Sequence, residues 1–207
     1  MLIKNDKPLM AISYDTSTYF LLTQYLENEP NAKVGRIEPL DFFENPSDEY
    51  QYINLVTLDK DERKKIINVL DDKKLDRFSY IHSDIFHRKF SDIETVGKNI
   101  GLGCFIYPGV WTYKADIGKD CIIHSFVRMA ENVKIGNNVF ISGNVTIAGS
   151  SKVGNNCVIG TNVLIMDHVT IGDGVKLLPS MTIRKDIVKS GTYYNPAVFE
   201  VKEMKEF

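Results

Sequence analysis

Four histidines and three cysteines are the side chains of this sequence best suited to proton transfer, nucleophilic attack or metal binding. An imidazole titrates closest to neutral pH, which makes it the natural general base or acid. His168 follows Asp167 in Ile165-Met166-Asp167-His168, and His124 lies in Ile123-His124-Ser125. His124 fits a base and equally a corner residue bonded to a loop, whereas His168 fits a solvated face residue better than one bordering a ligand groove. His82 and His87 fall in a stretch that reads as a linker and suit a structural role. Cys104, Cys121 and Cys157 form an odd, sparse set that suits a reducing cytosol better than a disulfide framework. No set of His, Cys, Asp and Glu has metal-ligand spacing, so no metal is expected. Near the start, Ser13-Tyr14-Asp15-Thr16-Ser17-Thr18 offers hydroxyls and helix N-terminal amides to an anion. It holds no glycine, and Asp15 would repel phosphate, so an ordinary turn capped by Asp15 stands beside that reading.

The elements that must position these groups divide into two textures. From Ile117 to Ile183 an aliphatic residue recurs at every sixth place, twelve times in succession. Four residues after each comes a second, mostly small candidate for the interior, from Cys121 and Val127 to Met181 and Ile187. Glycine follows the first position in Ile117-Gly118, Ile135-Gly136, Val153-Gly154, Ile159-Gly160 and Ile171-Gly172, and Asn or Asp fills the corners, where tight turns need φ > 0. A period of six fits neither an α-helix nor a hairpin strand. It predicts a solenoid of short strands, three per coil, stacking aliphatic side chains inside. A weaker run, Val96-Gly97, Ile100, Leu102-Gly103 and Ile106, joins the same solenoid. Between Pro108 and Ile117 the spacing reads as a slip of three residues, which predicts a bulge or loop carrying Trp111 and Tyr113. Eighteen residues per coil gives about five coils and a height of roughly 24 Å. Cys121 and Cys157 would then be small interior residues roughly 9.5 Å apart, beyond disulfide reach.

Residues 1–80 read as a small parallel α/β unit. Pro8-Leu9-Met10-Ala11-Ile12-Ser13 predicts a strand, and Asp15 or Thr16 could cap a helix to about Glu27. Tyr52-Ile53-Asn54-Leu55-Val56 predicts a second strand, and Asp59 could cap an amphipathic helix to about Lys74 with Ile66, Ile67 and Leu70 inward. The expected organisation is thus an α/β domain over 1–80, a linker over 81–95, the solenoid over 96–190 and a tail over 191–207. With 43% apolar residues, a net charge of −2 and a pI near 6.1, the chain can build a core and does not suit nucleic acid or a polybasic membrane contact. No apolar stretch approaches the roughly 20 residues of a membrane span, and the first residues lack the apolar core of a signal peptide. A cytoplasmic location is expected.

The coils, the helix motif Arg63-Lys64-Lys65-Ile66, the link Tyr80-Ile81-His82-Ser83, the opening Ile106-Tyr107-Pro108-Gly109-Val110 and the closing Asn195-Pro196-Ala197 give the chain a resemblance to a known family. It resembles the left-handed β-helix, hexapeptide-repeat sugar acyltransferases, in the group of sialic-acid O-acetyltransferases and UDP-amino-sugar N-acetyltransferases. The resemblance implies a mixed fold, a Rossmann-like α/β domain followed by a left-handed parallel β-helix. It implies a homotrimer with acetyl-CoA in the groove between neighbouring prisms and a nucleotide-linked sugar on the N-terminal domain. The substrate residues it implies are Ser13, Tyr14, Asp15, Thr16 and Glu38. The family's catalytic histidine corresponds to Glu131 in Met129-Ala130-Glu131-Asn132-Val133-Lys134, and the acidic residue after it to Asn132. His124 stands where the family has an asparagine lining the same site, and a second histidine, near the cofactor end, corresponds to Phe140. Catalytic candidates are therefore His124, Glu131 and Asn132. Cofactor candidates are Phe140, Ala148, Gly149, Gly160, Thr161, His168, Leu178 and Lys185, the last as a point charge for a CoA phosphate. Without the histidine an amine is an easier acceptor than a hydroxyl, since a hydroxyl has greater need of a base. The expectation is an acyl-CoA-dependent N-acyltransferase acting on a nucleotide-linked amino sugar in surface-glycan synthesis. A sugar O-acetyltransferase and a catalytically inactive trimeric scaffold or binding module are the alternatives.

Overall fold

The computed structural model describes residues 2–3, 7–14, 22, 24, 34–56, 59–81 and 99–195. Its larger part is a left-handed parallel β-helix with three faces. The first face stacks β7 (Phe105–Ile106), β10 (Ile122–Ile123), β13 (Phe140–Ile141), β16 (Val158–Ile159) and β19 (Val175–Leu177). The second stacks β8 (Trp111–Thr112), β11 (Arg128–Met129), β14 (Thr146–Ile147), β17 (Leu164–Ile165) and β20 (Thr182–Ile183). The third stacks β9 (Asp116–Ile117), β12 (Lys134–Ile135), β15 (Lys152–Val153) and β18 (Thr170–Ile171).

Partners such as Ile141 and Ile159, or Ile147 and Ile165, stand 18 residues apart in register, so like side chains pile up along the interior. Ile123, Ile141, Ile147, Ile159 and Ile165 are fully buried there. The chain turns between faces through a residue held in the left-handed region, with φ near +60° at Asn132, Asn138, Asn144, Asn156 and Asn162. Asparagine tolerates that conformation better than most residues, which explains its recurrence. All three cysteines are buried and free; a hydrogen bond with Cys121, and then burial, raise the Cys104 thiol, and burial pushes the Cys157 thiol up to about 11.

The expected slip between Pro108 and Ile117 is corrected. Ile106 to Thr112 keeps the six-residue step, with buried Thr112 in the interior place, and the chain is one residue short only between Thr112 and Ile117. Trp111 lies in β8, outward, in register with Arg128 rather than on a bulge. At the far end, β21 (Gly191–Tyr193) pairs with β19, so the ordered sheet runs past residue 190.

The α/β domain carries a parallel sheet ordered β3 (Val34–Ile37), β2 (Leu9–Ile12), β4 (Gln51–Asn54), β5 (Asp76–Arg77). Helix α1 (Pro39–Glu44) and helix α2 (Lys60–Asp72) cover one side, where Ile12, Phe42, Tyr52, Ile66 and Leu70 form the core. The Asp59 side chain caps α2 by accepting from the Asp61 and Glu62 amides, as the sequence leads one to expect. Ile66 and Leu70 are buried and Ile67 is half-buried. The expected first helix falls outside the described residues apart from Leu22 and Gln24, which are helical. The other side of the sheet packs on the first face of the prism, where Leu9, Ala11, Ile53 and Leu55 share a core with Phe105, Ile122, Phe140 and Val158. β6 (Ser79–Ile81) continues that face, parallel to β7, and β1 (Leu2–Ile3) pairs with β6.

Candidate functional site

Two edges of the prism and one edge of the α/β sheet receive the residues that the sequence singles out. Along the edge between the second and third faces, Glu131 and Asn132, then Gly149 and Ser150, then Asp167 and His168, then Lys185 follow one another coil by coil. Ala148 follows β14 directly, beside this edge. The backbone locks the stack: Ser150 donates to the Glu131 carbonyl at 2.8 Å and His168 to the Gly149 carbonyl at 3.0 Å. The Glu131 carboxylate folds against Gly149, where a Cβ would stand 2.7 Å from Oε1 and push the carboxylate aside. The Glu131 carboxylate is exposed, and so is the Asn132 corner. His168 is exposed too, and its Nδ1 lies 3.2 Å from Asp167 Oδ2.

His124, Phe140, Gly160, Thr161 and Leu178 lie instead on the first face or on its edge with the second. The His124 ring stacks on Tyr107 at 4.2 Å between centroids and 14° between planes, and meets the edge of Phe140 at 5.3 Å. Burial among these rings lowers its pKa below 6.5. Phe140 is 4% exposed and belongs to the core shared with the α/β domain. The hydroxyls of Ser142 and Thr161 meet at 2.7 Å just above. Within one chain the whole of β11 separates His124 from Glu131, a path of about 20 Å if extended. The predicted catalytic and cofactor residues therefore divide between two edges and do not converge inside a single prism.

At the C-terminal edge of the α/β sheet, Ser13 is buried and donates its amide to the Ile37 carbonyl at 3.0 Å. Ligands of open α/β sheets bind at this edge. Tyr14 is exposed and donates its hydroxyl to Glu62 Oε1 at 2.7 Å. That hydrogen bond, slight desolvation and the carboxylates of Glu62, Glu38 and Asp59 push the phenol up to about 12. Arg36 donates to the Ser13 carbonyl at 3.1 Å and sits 3.5 Å from Glu38. Asp15 and Thr16 fall outside the described residues.

A set of contacts that the sequence reading did not assign joins domain to prism. Arg63 is fully buried, with Nε donating to Asn138 Oδ1 at 2.8 Å and its remaining nitrogens donating to the Val56 and Asp120 carbonyls. Desolvation lowers it to about 10, so it stays cationic at neutral pH. Arg77 Nε donates to Asp120 Oδ1 at 2.9 Å and its Nη2 to Asp71 at 2.8 Å. Burial raises Asp120, and Arg77 opposes that. The signal was present in the spacing: Arg63, Ile66 and Leu70 are i, i+3 and i+7 on one helical stripe, so a cation stands among inward positions.

Among the described residues no group of His, Cys, Asp and Glu could hold a metal, and no helix is long and apolar enough to cross a membrane. Residues 114–149 and 150–184 match the family model described as bacterial transferase hexapeptide (six repeats). No curated protein sequence matches the chain. The acetyltransferase domain of PglB from Neisseria gonorrhoeae FA1090 shares the fold with a TM-score of 0.70 at 16% identity, covering 93% of this chain and 98% of that one. The same domain in complex with acetyl coenzyme A gives 0.64 at 17% identity over 92% and 97%. PerB from Caulobacter crescentus, in complex with CoA and GDP-perosamine, gives 0.64 at 15% identity over 93% and 96%.

Proposed function

We propose that this chain, a left-handed β-helix protein built from bacterial transferase hexapeptide repeats, transfers an acetyl group from acetyl-CoA to the amine of a nucleotide-linked sugar. The observation that carries the proposal is the shared two-part architecture. An α/β domain seated on a hexapeptide prism is matched nearly end to end by proteins whose structures hold acetyl-CoA, or CoA with GDP-perosamine. In the transfer the amine nitrogen bonds to the thioester carbonyl carbon, the carbon–sulfur bond breaks, the nitrogen gives up a proton and the CoA sulfur leaves as thiol. Glu131, exposed on the edge beside Gly149, takes that proton. The acceptor amine must arrive unprotonated and well placed, because orientation supplies much of the rate when the base is weak.

The active form is a cytoplasmic trimer. Of the two faces left free by the α/β domain, the third carries Asp116, Lys134 and Lys152 outward, whereas the second carries Trp111, Arg128, Thr146, Leu164 and Thr182. Phe126, at the border of the second face, is 64% exposed and sits at φ 63°, a conformation costly for a bulky side chain. The exposed Trp111 and Phe126, with Leu164 on the same face, suit a subunit contact. That contact would bring the His124 edge of one prism toward the Glu131 edge of the next. The acetyl-CoA thioester would lie there, against Ala148, Gly149 and His168, with Lys185 toward the phosphates.

A binding module without catalysis is the second reading. It is favoured by His124 being wedged between Tyr107 and Phe140, where it is poorly placed to act as a base. Thiol release from acetyl-CoA in the presence of UDP-, GDP- or dTDP-linked 3-amino and 4-amino sugars separates the two. Turnover with one of them that falls on the order of 100-fold in Glu131→Gln supports transfer through Glu131. CoA binding without turnover supports the binding module.

A further inference from the structure

The domain-covered face of the prism presents one outward side chain per coil, in register: Phe105, Ile122, Phe140, Val158 and Lys176. The first four are buried under the α/β domain, at 4% exposure or less. Lys176 is half-buried, and no hydrogen bond or ion pair among the described residues engages its side chain.

The change from apolar to cationic falls where the cover ends. Helix α2 descends along the neighbouring edge of the prism. Its Lys60 carbonyl accepts from Asn138, its Arg63 reaches both Asn138 and Asp120, and its Asp71 is joined to Asp120 through Arg77. Its N-terminal end is therefore level with the coil of Asn138 and its other end with the coil of Asp120, 18 residues earlier. A helix joining two parallel strands runs back against them. The C-terminal edge of the α/β sheet thus opens toward the later coils of the prism. Lys176 lies two coils beyond Phe140, roughly 9.6 Å higher, on the wall of the space into which that edge opens.

Among the described residues, the sheet edge itself offers little to a phosphate. Its first turn has no glycine, and the carboxylates of Glu38, Asp59 and Glu62 crowd the Tyr14 phenol. Arg36 is spent on two carbonyls and Glu38, and Lys60 on Asp61 at 3.0 Å. An anion seated there has to be met from across the crevice. We infer that Lys176 is the residue that binds the diphosphate of the nucleotide sugar, so that the prism supplies charge that Arg36 and Lys60, already engaged at the sheet edge, do not. The inference rests on the nucleotide-sugar reading given above. A diphosphate also occurs in CoA, and the test separates the two sources.

Titration calorimetry on the full chain would use UDP, GDP and dTDP, the corresponding nucleosides, and CoA. The expected result is that the preferred nucleoside diphosphate binds on the order of 10-fold to 100-fold more weakly to Lys176→Met. Binding of its nucleoside and of CoA stays unchanged, and Lys176→Arg recovers most of the loss. Methionine keeps the apolar stem, and an unchanged melting temperature shows that the variant is folded. Equal affinity of wild type and Lys176→Met for the diphosphate overturns the inference and leaves the proposed function standing. A loss confined to CoA overturns it by assigning the lysine to the carrier. Failure of the wild type to bind any of the three diphosphates overturns the nucleotide-sugar reading, and this inference with it.

Discussion

A coil of the prism and a strand–helix unit of the α/β domain bury similar side chains under different rules. Ile123, Ile141 and Ile159 each sit on a copy of themselves, 18 residues away, so every interior contact is repeated along the stack. Ile12, Ile66 and Leu70 meet once, in a core that nothing else in the chain duplicates. In the prism, stability is a sum of near-equal neighbour contacts and damage stays local. The domain instead depends on single features, above all the Arg63 group that ties it to Asn138 and Asp120. Replacing one residue in each region should therefore have different consequences even where the buried volume lost is similar.

Arg63→Ala should have the largest effect. It strands Asn138 and two buried carbonyls without their donor, at a cost of about 1–3 kcal/mol for each group left unpaired. Thermal unfolding followed by near-ultraviolet circular dichroism should then split into two transitions, an early one for the domain and a late one for the prism. A single shifted transition would mean that the two regions unfold as one. Ile141→Ala should cost about 2–5 kcal/mol without creating a separate domain transition. Hydrogen exchange should show the loss concentrated in the coils on either side of it, and a loss spread evenly over the chain would contradict the account of local neighbour contacts.

The junction of the two regions should respond to pH. Burial holds His124 neutral below its ordinary value of 6.5. As pH falls through that value the unfolded chain takes up a proton before the folded one does, so stability declines toward the folded-state pKa. His124→Phe should flatten the difference in stability between pH 7 and pH 5, as read from urea midpoints. The smallest expected effect concerns the cysteines, buried in the interior of the prism with the Cys157 thiol raised to about 11. At pH 8 iodoacetamide should label none of the three in the native protein and all three in denaturant.

The prism was legible because its rule is periodic, and one coil announces the next. The sixfold recurrence gave the strands, the corners and the interior positions of Cys121 and Cys157. It failed only between Thr112 and Ile117, where a polar residue in the interior place and one missing residue together disguised the step. The α/β domain was legible where a local device marks an element, as Asp59 does for α2. It was opaque at β3 and α1, short segments whose Val34-Gly35-Arg36-Ile37 and Pro39-Leu40-Asp41-Phe42 lack a repeated period. The candidate site was half legible. Glu131, Gly149 and Lys185 share one edge because multiples of 18 place them there, and His168 stands one residue past the same series. His124 and Phe140 are held on another side of the prism by the domain that covers it, a contact between distant parts of the chain that spacing along the sequence cannot express. Arg63 shows the converse, a cation whose place on an inward stripe was visible but whose partners 57 and 75 residues away were not.

The central claim is acetyl transfer to an amine of a nucleotide-linked sugar, and the product tests it most directly. Mass spectrometry of 3-amino and 4-amino nucleotide sugars after incubation with acetyl-CoA and the protein should show one of them gaining an acetyl group that survives mild base, as an amide does. An acetyl group lost in mild base would place the transfer on a hydroxyl, and no acetylated product from any of these acceptors would contradict the claim.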